Sequence, residues 1–315
     1  MPELPEVETI RRQLAPRLVG REVVGAGAHE SPKFATAVAA VGGTVTALGR
    51  RGKYLIAELE SEATGERADL VVHLGMTGVL ACTTGSEPAP SPHLRAWWAL
   101  GPRAGAGAGR TGTRTAGAGE RGAVEGPAVL TYTDVRRFGR TMVVPHGDHS
   151  ALPTLARLGP EPLGDDFTPA HLRTALRRAG APLKAVLLGQ RVVAGIGNIY
   201  CDEACWRAGV HPGSRSVAPS RLPALHAAIR AVLREGIEHG GTTLRDYRDG
   251  DGESGSHQQH LDCYGRAGEP CNRCGTTLER SVVAARGTTT CPSCQPRRSL
   301  RPRRVRRPGY STPTR

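Results

Sequence analysis

The amino-terminal stretch Met1–Arg12, MPELPEVETIRR, opens the helix around which the fold is organised. Apolar residues recur at helical spacing from this stretch onward, which predicts one face to bury. These residues are Val7, Ile10, Leu14 and Leu18. Pro5 suits the first turn of a helix, and acidic residues in that turn complement the helix dipole. The sequence therefore predicts an amphipathic helix that fixes the amino terminus in the fold.

The same stretch predicts a nucleophile. Pro2 is a small residue that permits removal of the initiator Met1, which leaves a secondary amine at the start of the chain. The pKa of an α-amino group is about 7.7–8.0, against about 10.4 for lysine, so a useful fraction is neutral at pH 7. Such an amine attacks electrophilic carbon and forms a Schiff base. Glu3 adjoins it and Glu6 follows one turn on, although the helix dipole alone also explains these acids.

After Gly20 the pattern changes to short runs typical of β-strands, separated by glycine-rich turns. The predicted strands are Glu22–Ala28, Thr44–Leu48, Tyr54–Leu59, Leu70–Leu74, Leu94–Leu100, Ala128–Tyr132 and Thr141–Val144. So many short strands indicate a β-sandwich or a barrel, which we place in a domain over residues 1–145. Residues 102–127 are low-complexity Gly, Ala, Thr and Arg, and predict a disordered insertion between two strands.

A segment rich in Pro, Gly and Asp near residues 146–166 marks a linker, and the pattern beyond it is helical. The predicted helices are Pro169–Arg178, Pro182–Gln190, Asn198–Ala208 and Arg221–His239. We assign residues 146–260 to this mainly helical domain. Gly195 and Gly197 allow tight turns, and Asn198 suits the cap of the next helix. The free amides at that helix start predict a phosphate site, although a plain helix cap explains the pattern equally.

The spacing Cys271-x2-Cys274-x16-Cys291-x2-Cys294 predicts a metal site over residues 261–295. Four thiolates satisfy a tetrahedral Zn²⁺ ion without an open position, so the metal is expected to be structural. Iron is the minor alternative. The residues between the two pairs suit a β-hairpin. The remaining four cysteines are scattered, which favours reduced thiols and a cytoplasmic protein.

The charge of the chain indicates a polyanionic partner. The 315 residues carry a formal net charge of +13, which is typical of nucleic-acid-binding proteins. Eight of these charges are arginines in the segment 296–315, which we predict to be a disordered basic tail that adds affinity for DNA or is simply solvated. No apolar run approaches the roughly 18 residues of a membrane helix. We expect a monomeric, cytoplasmic protein.

Several of these motifs together resemble one family. Met1–Arg12 looks like the N-terminal signature of the formamidopyrimidine-DNA glycosylases, bacterial repair enzymes for oxidised purines. The segment Gln190–Tyr200, QRVVAGIGNIY, resembles the helix-two-turn-helix element of that family, and the cysteine motif resembles its zinc finger. The resemblance implies an α+β fold with two domains. An N-terminal helix and a β-sandwich form the first, and a helical domain with the helix-two-turn-helix and a β-hairpin zinc finger forms the second.

The resemblance also implies roles for individual residues. It implies that Pro2 and Glu3 perform the chemistry, assisted by Lys53 at the lesion's phosphate and sugar and by Arg286 at the flanking phosphates. It implies that Met76, Arg136 and Phe138 fill the space left by an extruded nucleotide. The other DNA contacts it implies are Glu6, His73, Asn198 and, more weakly, Arg266. The residues alone leave other interpretations open: a solvated basic turn at Arg50–Lys53, and core packing for Met76 and Phe138.

The activity implied by the resemblance is removal of oxidised purines from damaged double-stranded DNA, followed by cleavage at the abasic site. Leu4 matches the purine-directed branch, whereas the endonuclease VIII branch, which prefers oxidised pyrimidines, usually has glycine there. A second alternative is a non-catalytic DNA-binding zinc protein. The chain departs from the family in its insertion, its tail, and Ser256–Gln259, where relatives commonly place an aromatic residue in the loop 246–257 over the lesion.

Overall fold

The computed structural model describes residues 1–103, 126–243, 247, 249–250 and 252–297. The first helix, α1, spans Leu4–Leu18 and begins with a capping box in which Glu3 and Glu6 each bind the other's backbone amide. Its apolar face is fully buried, as the spacing predicts. Val7, Ile10 and Leu14 enter the core of the β-domain, whereas Leu4 enters the core of the helical domain. Helix α1 therefore ties the two cores together at the amino terminus.

In the described part of the chain, eight antiparallel strands form the amino-terminal β-domain. They are β1 (Arg21–Ala28), β2 (Gly43–Arg51), β3 (Tyr54–Ser61), β4 (Arg67–His73), β5 (Gly78–Thr84), β6 (Leu94–Arg103), β7 (Ala128–Asp134) and β8 (Arg140–Pro145). Their spatial order is β5-β7-β6-β1-β2-β3-β4-β8. One residue pair, Glu22 with Thr44, joins β1 to β2, and register shifts interrupt β1. Such irregularities bend a sheet, and here they divide it into the two layers of a sandwich.

The sandwich has one strand more than the sequence pattern predicts. Strand β5 is absent from the prediction, although its sequence GVLACTT includes Val79, Thr83 and Thr84, which are β-branched residues that favour strands. Its buried positions alternate all the same, with Gly78, Leu80 and Cys82 facing inward. A short 3₁₀ helix over Ala35–Ala40 closes the core, where Trp98 donates its indole N–H to the carbonyl oxygen of Ala37 at 2.9 Å.

The carboxyl-terminal region is helical. Its helices are α2 (Pro153–Ala156), α3 (Pro169–Ala179), α4 (Leu183–Leu188), α5 (Asn198–Ala208) and α6 (Leu222–Glu238), with short 3₁₀ helices at Pro219–Arg221 and His257–His260. The four longer helices lie within two residues of their predicted limits. They bury a core that includes Leu187, Ile196 and Ile229. Among the described residues, no helix is long and apolar enough to cross a membrane.

A two-stranded hairpin completes the fold. Strands β9 (Glu279–Val283) and β10 (Arg286–Thr290) pair in an antiparallel register, and the turn residues Ala284 and Ala285 both have positive φ angles. The β-hairpin predicted between the cysteine pairs is confirmed. Three other predictions concern segments that lie largely outside the described residues. They are the disordered insertion at 102–127, the basic tail at 296–315 and part of the loop at 246–257.

Candidate active site and nucleic-acid interface

The amino terminus lies at the contact between the two domains. The backbone amide of Leu4 donates to the carbonyl oxygen of Gly195 at 3.0 Å, so α1 is tied to the glycine turn before α5. Leu4 is fully buried, and a Cβ on Gly195 would meet its side chain at 2.6 Å. Only glycine allows this approach. Pro2 is buried, whereas Met1 is 54% exposed and lines the cavity between the domains. Removal of Met1 would leave the nitrogen of Pro2 at the wall of that cavity.

The carboxylate of Glu3 accepts hydrogen bonds from the backbone amides at the start of α5. Gly197 donates to Glu3 Oε2 at 2.6 Å, Ile199 to Oε1 at 2.9 Å and Tyr200 to Oε2 at 3.4 Å. These bonds fix Glu3 against a helix amino terminus, where negative charge is favoured. They also correct the sequence prediction for this helix. Its N-cap is Gly197, the Asn198 side chain does not cap it, and a carboxylate of the protein occupies the amides expected to bind phosphate.

Glu6 is buried and its two carboxylate oxygens are occupied. Oε1 accepts from the Thr242 amide at 2.7 Å and the Tyr200 hydroxyl at 2.8 Å, while Oε2 accepts from the Glu3 amide at 2.7 Å. Burial, followed by repulsion from Glu3, raises the pKa of Glu6 to about 6. With 1% of its surface exposed, Glu6 supports the Glu3 backbone from behind. The Glu6 carboxylate is therefore not accessible for the DNA contact that the resemblance implies.

We expect the free energy of unfolding to depend on pH because of this raised pKa of Glu6. A folded-state pKa of about 6, above the ordinary 4.5, means that stability falls as pH rises from about 4.5 to about 6. Over that window the Glu6→Gln variant should gain about 2 kcal/mol relative to the native chain, since one pKa unit corresponds to about 1.4 kcal/mol. Urea titrations at pH 4.5 and pH 7 measure the difference. An identical difference at both pH values would contradict this account.

Lys53 extends into the same region from the turn between β2 and β3. Its side chain is only 7% exposed, and burial lowers its pKa, an effect opposed by the negative charges of Glu3 and Glu6. A lysine of lowered pKa is suited to proton transfer near neutral pH. The adjacent residues Arg50 and Arg51 form ion pairs within the protein, at 2.7 Å and 2.9 Å from Glu161. The alternative of a merely solvated basic turn is therefore wrong.

A cavity of about 770 Å³ opens between the two domains beside these groups. Its wall is basic, as a binding surface for a phosphate backbone requires. The cationic residues on the wall are Lys33, Lys53, Arg140, Arg157 and Arg191. His73 also lines the cavity and packs against Tyr54, with the two rings tilted by 45° and their centroids 4.6 Å apart. Burial, together with the charges of Lys53 and Arg140, lowers the pKa of His73 to about 4, so this imidazole is neutral at pH 7.

An exposed apolar group stands at the edge of the β-domain. Met76 is 37% exposed and Phe138 is 51% exposed, which rules out the core packing that the sequence alone left open. The guanidinium of Arg136 lies over the Phe138 ring at 4.7 Å. Asp134 holds this loop because its buried carboxylate accepts from the Thr77 hydroxyl at 2.6 Å and from the Gly139 amide at 2.8 Å. Two apolar side chains and a guanidinium therefore project together from a rigid base.

The hairpin tip is anchored beside α5. The carbonyl oxygen of Gly287 accepts from Asn198 Nδ2 at 3.1 Å and from Lys184 Nζ at 3.0 Å. Lys184 also forms a 2.6 Å ion pair with Asp202, and both side chains are fully buried. These contacts fix the position of the adjacent Arg286, whose side chain remains exposed. The Oδ1 atom of Asn198 is buried without a hydrogen-bond partner among the described residues.

The four cysteines of the motif converge as the spacing predicts. The sulfur atoms of Cys271, Cys274, Cys291 and Cys294 all lie within 4.8 Å of one another. Four thiols in this arrangement fit one tetrahedral Zn²⁺ ion with no open position, so the ion supplies structure and no catalysis. The indole N–H of Trp206 donates to the Cys271 sulfur at 3.3 Å, and the buried Trp206 ring packs with the cysteines of the site.

Comparisons with known proteins agree with this site. The N-terminal domain model of formamidopyrimidine-DNA glycosylase matches residues 1–141, its H2TH domain model matches residues 158–248, and the zinc finger found in FPG and IleRS matches residues 268–297. The formamidopyrimidine-DNA glycosylase of Deinococcus radiodurans is 40% identical over 96% of this chain and 99% of its own length. This chain belongs to the formamidopyrimidine-DNA glycosylase family. The enzyme of that name from Thermomicrobium roseum is 44% identical over 94% of this chain and 99% of its own length.

Solved structures of family members share the fold. The crystal structure of MutM (Fpg) from Thermus thermophilus superposes with a TM-score of 0.79 at 39% identity, covering 95% of this chain and all of that one. Lactococcus lactis Fpg in complex with DNA that contains an abasic site gives a TM-score of 0.75 at 32% identity, covering 94% of this chain and all of that one. The two-domain α+β architecture implied by the resemblance is confirmed.

Within this family fold, the Arg266 side chain is held by residues of its own turn. Its side chain donates to Glu269 at 2.8 Å, to the Asp262 carbonyl at 2.9 Å and to the Pro270 carbonyl at 3.3 Å. With the guanidinium engaged in this way, Arg266 organises the turn that enters the zinc finger. The structure provides no separate support for Arg266 as a contact to DNA.

Sequence reasoning missed three charged residues that hold the site, namely Asp134, Glu161 and Lys184. Glu161 and Lys184 bind partners far away in the chain, and Asp134 joins the distant Thr77 to Gly139 of its own loop, so local spacing does not reveal these contacts. For Lys184 a signal was present. It lies in the apolar run Leu183–Leu188, and a charge there must be paired when the helix is buried.

Proposed function

We propose that this chain is a bifunctional DNA glycosylase and abasic-site lyase that excises oxidised purines, among them 8-oxoguanine and formamidopyrimidines. One observation carries the proposal. Met1 and Lys53 both line a basic cavity between the two domains, and the negative charge of Glu3, which amides of α5 hold in place, acts on the Lys53 amine. A protein that merely binds DNA has no need of an amino-terminal proline in such a setting.

The chemistry follows from the amine. The neutral Pro2 nitrogen attacks C1′ of the damaged nucleotide, the C1′–base bond breaks, and the base leaves with a proton. Ring opening of the sugar gives an iminium ion that links Pro2 to C1′. This cation acidifies the C2′ proton, so the 3′ phosphate is eliminated and then the 5′ phosphate. The expected product is a one-nucleotide gap with phosphate at both ends, and the free enzyme returns on hydrolysis.

Glu3 and Lys53 are assigned the proton transfers. The three amides from α5 hold the Glu3 carboxylate in one orientation next to the chain start, where it serves the sugar oxygen and the departing base. Positioned groups of this kind contribute about 10²–10⁴-fold to rate. Burial lowers the pKa of Lys53, so this amine gives up its proton more readily than an ordinary lysine does. Glu6 acts indirectly, through the Glu3 backbone that it holds.

The remaining residues are assigned to DNA. His73 and Lys53 line the cavity and bind the phosphates at the lesion, while Asn198 and Arg286 grip the strand from the helical domain and the zinc finger. Contacts of this kind position DNA without reading sequence. Met76, Arg136 and Phe138 enter the space vacated by the extruded nucleotide. Relatives support this assignment, since Lactococcus lactis Fpg forms complexes with DNA containing N7-benzyl-Fapy-dG or an abasic site.

We expect Phe138→Ala to slow base release about 10-fold or more, because unstacking a base step costs a few kcal/mol that the wedge no longer offsets. Val135→Ala is the matched control, since Val135 lies in the same loop and is 57% exposed. Single-turnover kinetics on a duplex with 8-oxoguanine opposite cytosine measure both variants. Equal rates for the two variants would remove Phe138 from the extrusion step.

The lesion preference needs its own test. Leu4, which matches the purine-directed branch, is fully buried against Gly195 and the helical core, so it cannot contact the damaged base. One Lactococcus lactis Fpg structure holds DNA with an oxidised pyrimidine, which keeps the endonuclease VIII-like alternative in view. We expect faster excision of 8-oxoguanine than of thymine glycol in matched duplexes. The opposite order would move the chain to the pyrimidine-directed activity, and binding without cleavage of either would indicate a DNA-binding protein only.

We further propose that the chain acts as a cytoplasmic monomer on damaged double-stranded DNA. The cavity, the exposed side chains of Met76, Arg136 and Phe138, and the anchored hairpin all belong to one chain. No second copy is therefore required to complete the site. Light scattering of the protein with a single-lesion duplex should give a 1:1 complex.

A further inference from the structure

The turn that carries Lys53 packs against the start of the helical domain. Gly52 closes this turn with φ +56°, and a Cβ at this position would meet Leu158 Cδ1 at 3.0 Å and Ala194 Cβ at 3.4 Å. The turn therefore lies in close contact with the second domain, and its positive φ angle favours glycine at this position. The position of Lys53 depends on how this turn is held.

One carboxylate from the linker holds the turn. Glu161 Oε1 accepts from the Gly52 amide at 2.6 Å and from Arg51 Nη1 at 2.9 Å. Its second oxygen, Oε2, accepts from Arg50 Nη1 at 2.7 Å. Charge-assisted hydrogen bonds are the strongest in this class of contact, and three of them meet on one side chain here. Glu161 is 26% exposed and thus partly shielded from water.

The turn has further anchors on both sides. Arg51 Nη2 donates to the carbonyl oxygens of Leu158 and Gly159, at 3.1 Å and 2.6 Å. Arg50 reaches back to Glu8 of α1 at 3.1 Å. The network thus joins α1, the β2–β3 turn and the interdomain linker, and Glu161 is the group that Arg50, Arg51 and Gly52 share.

Lys53 has no such anchor of its own. Within the residues that the structure describes, its Nζ forms no hydrogen bond or ion pair, although the side chain is only 7% exposed. A lysine without a side-chain partner is placed by its backbone. Its backbone adjoins Gly52, whose amide donates to Glu161.

We propose that Glu161 is a positioning residue for the excision reaction, because it sets the place of Lys53 in the wall of the cavity that Met1 also lines. This inference rests on the proposed role of Lys53. Glu161 binds neither substrate nor reacting atoms. It acts through the turn, and its loss should lower the rate of base release far more than the affinity for lesion DNA, because Lys53 supplies only one of several phosphate contacts.

Glu161→Gln is the first test, since it keeps the size of the side chain but places an amide NH₂ against one of the donors. We expect single-turnover base release to slow about 10- to 100-fold, because displacing a catalytic group by about 1 Å costs up to this factor. The dissociation constant for lesion DNA should change less than about 3-fold. Glu58→Gln is the matched control. Glu58 lies on β3 and pairs with Arg67 at 3.0 Å, so the Glu58→Gln substitution also removes an ion pair of this domain. Its rate should equal that of the native chain.

The double variant Glu161→Gln, Lys53→Ala decides whether Glu161 acts through Lys53. Coupled residues give non-additive effects, so in the Lys53→Ala background the second change should cost less than about 2-fold. A full, additive loss would overturn the inference and show a general structural effect. If Lys53→Ala alone leaves the rate unchanged, the proposed role of Lys53 fails instead, so the two failures are distinguishable.

Thermal unfolding of each variant separates positioning from loss of fold. Should Glu161→Gln fail to fold, Glu161→Asp retains the charge with a shorter reach, and it should show a smaller loss of the same kind, in rate and not in affinity. A loss of affinity that exceeds the loss of rate in Glu161→Asp would also overturn the inference.

Discussion

Glu3→Gln should abolish most base release, with a fall of about 10²–10⁴-fold in single-turnover rate at saturating enzyme. The reason lies in the three amides of α5 that converge on this carboxylate. A glutamine presents an NH₂ group to one or more of these donors and cannot exchange a proton with the sugar or the base. The affinity for lesion DNA should change little, because Glu3 is 2% exposed and makes no surface contact.

Loss of stability must be separated from loss of catalysis in this variant. Leaving a buried donor unpaired costs about 1–3 kcal/mol, so the Glu3→Gln protein should also melt at a lower temperature. Asp69→Asn provides the matched control. Asp69 is likewise 2% exposed and accepts from His146, His149 and the Gly147 amide at 2.8–3.0 Å. This control should lose stability yet release base at nearly the native rate. A comparable loss of rate in both variants would assign the Glu3 effect to folding.

Loss of zinc should have the second large effect. Cys291 is fully buried among the four sulfur atoms, and zinc contributes about 10–16 kcal/mol to the folding of small zinc fingers. Cys291→Ser should therefore release the metal and unfold the β9–β10 hairpin, so that Arg286 and Gly287 leave their places beside Asn198. Loss of such an interface anchor costs about 2 kcal/mol or more, so the affinity for lesion DNA should fall at least about 30-fold.

Metal analysis and fluorescence anisotropy test this prediction together. Cys82→Ser is the control, because Cys82 is also buried but lies in β5, in the core of the sandwich. That variant should bind one zinc ion per chain and keep its affinity. Retention of full DNA affinity by zinc-free Cys291→Ser would show that the hairpin is held by Lys184 and Asp202 alone.

Local patterns in the sequence were sufficient for much of the fold. The spacing of Val7, Ile10 and Leu14 predicted α1, and paired cysteines predicted the metal site, because both signals are complete within a short window. Strand β5 was missed, although its β-branched residues Val79, Thr83 and Thr84 and its alternating burial are ordinary features of a strand. The limits of the predicted helices were close because Pro, Gly and Asn stand at their ends.

The candidate site was less accessible to sequence reasoning. The resemblance supplied the residues, but not what holds them. The contact of Glu3 with Gly197 spans 194 positions, and that of Gly52 with Glu161 spans 109. Such contacts exist only after the two domains meet. The Asn198 cap was predicted wrongly for the same reason, because Glu3 reaches the α5 amides from the other end of the chain.

The most direct test is borohydride trapping on duplex DNA that carries 8-oxoguanine opposite cytosine. We expect a covalent adduct from the native protein, a greatly reduced adduct from Pro2→Gly, and none from a form that retains Met1, because the adduct requires the free Pro2 nitrogen. Absence of an adduct on this lesion and on abasic DNA, or an equal adduct from the form that retains Met1, would contradict the assignment of the amino-terminal amine as the nucleophile.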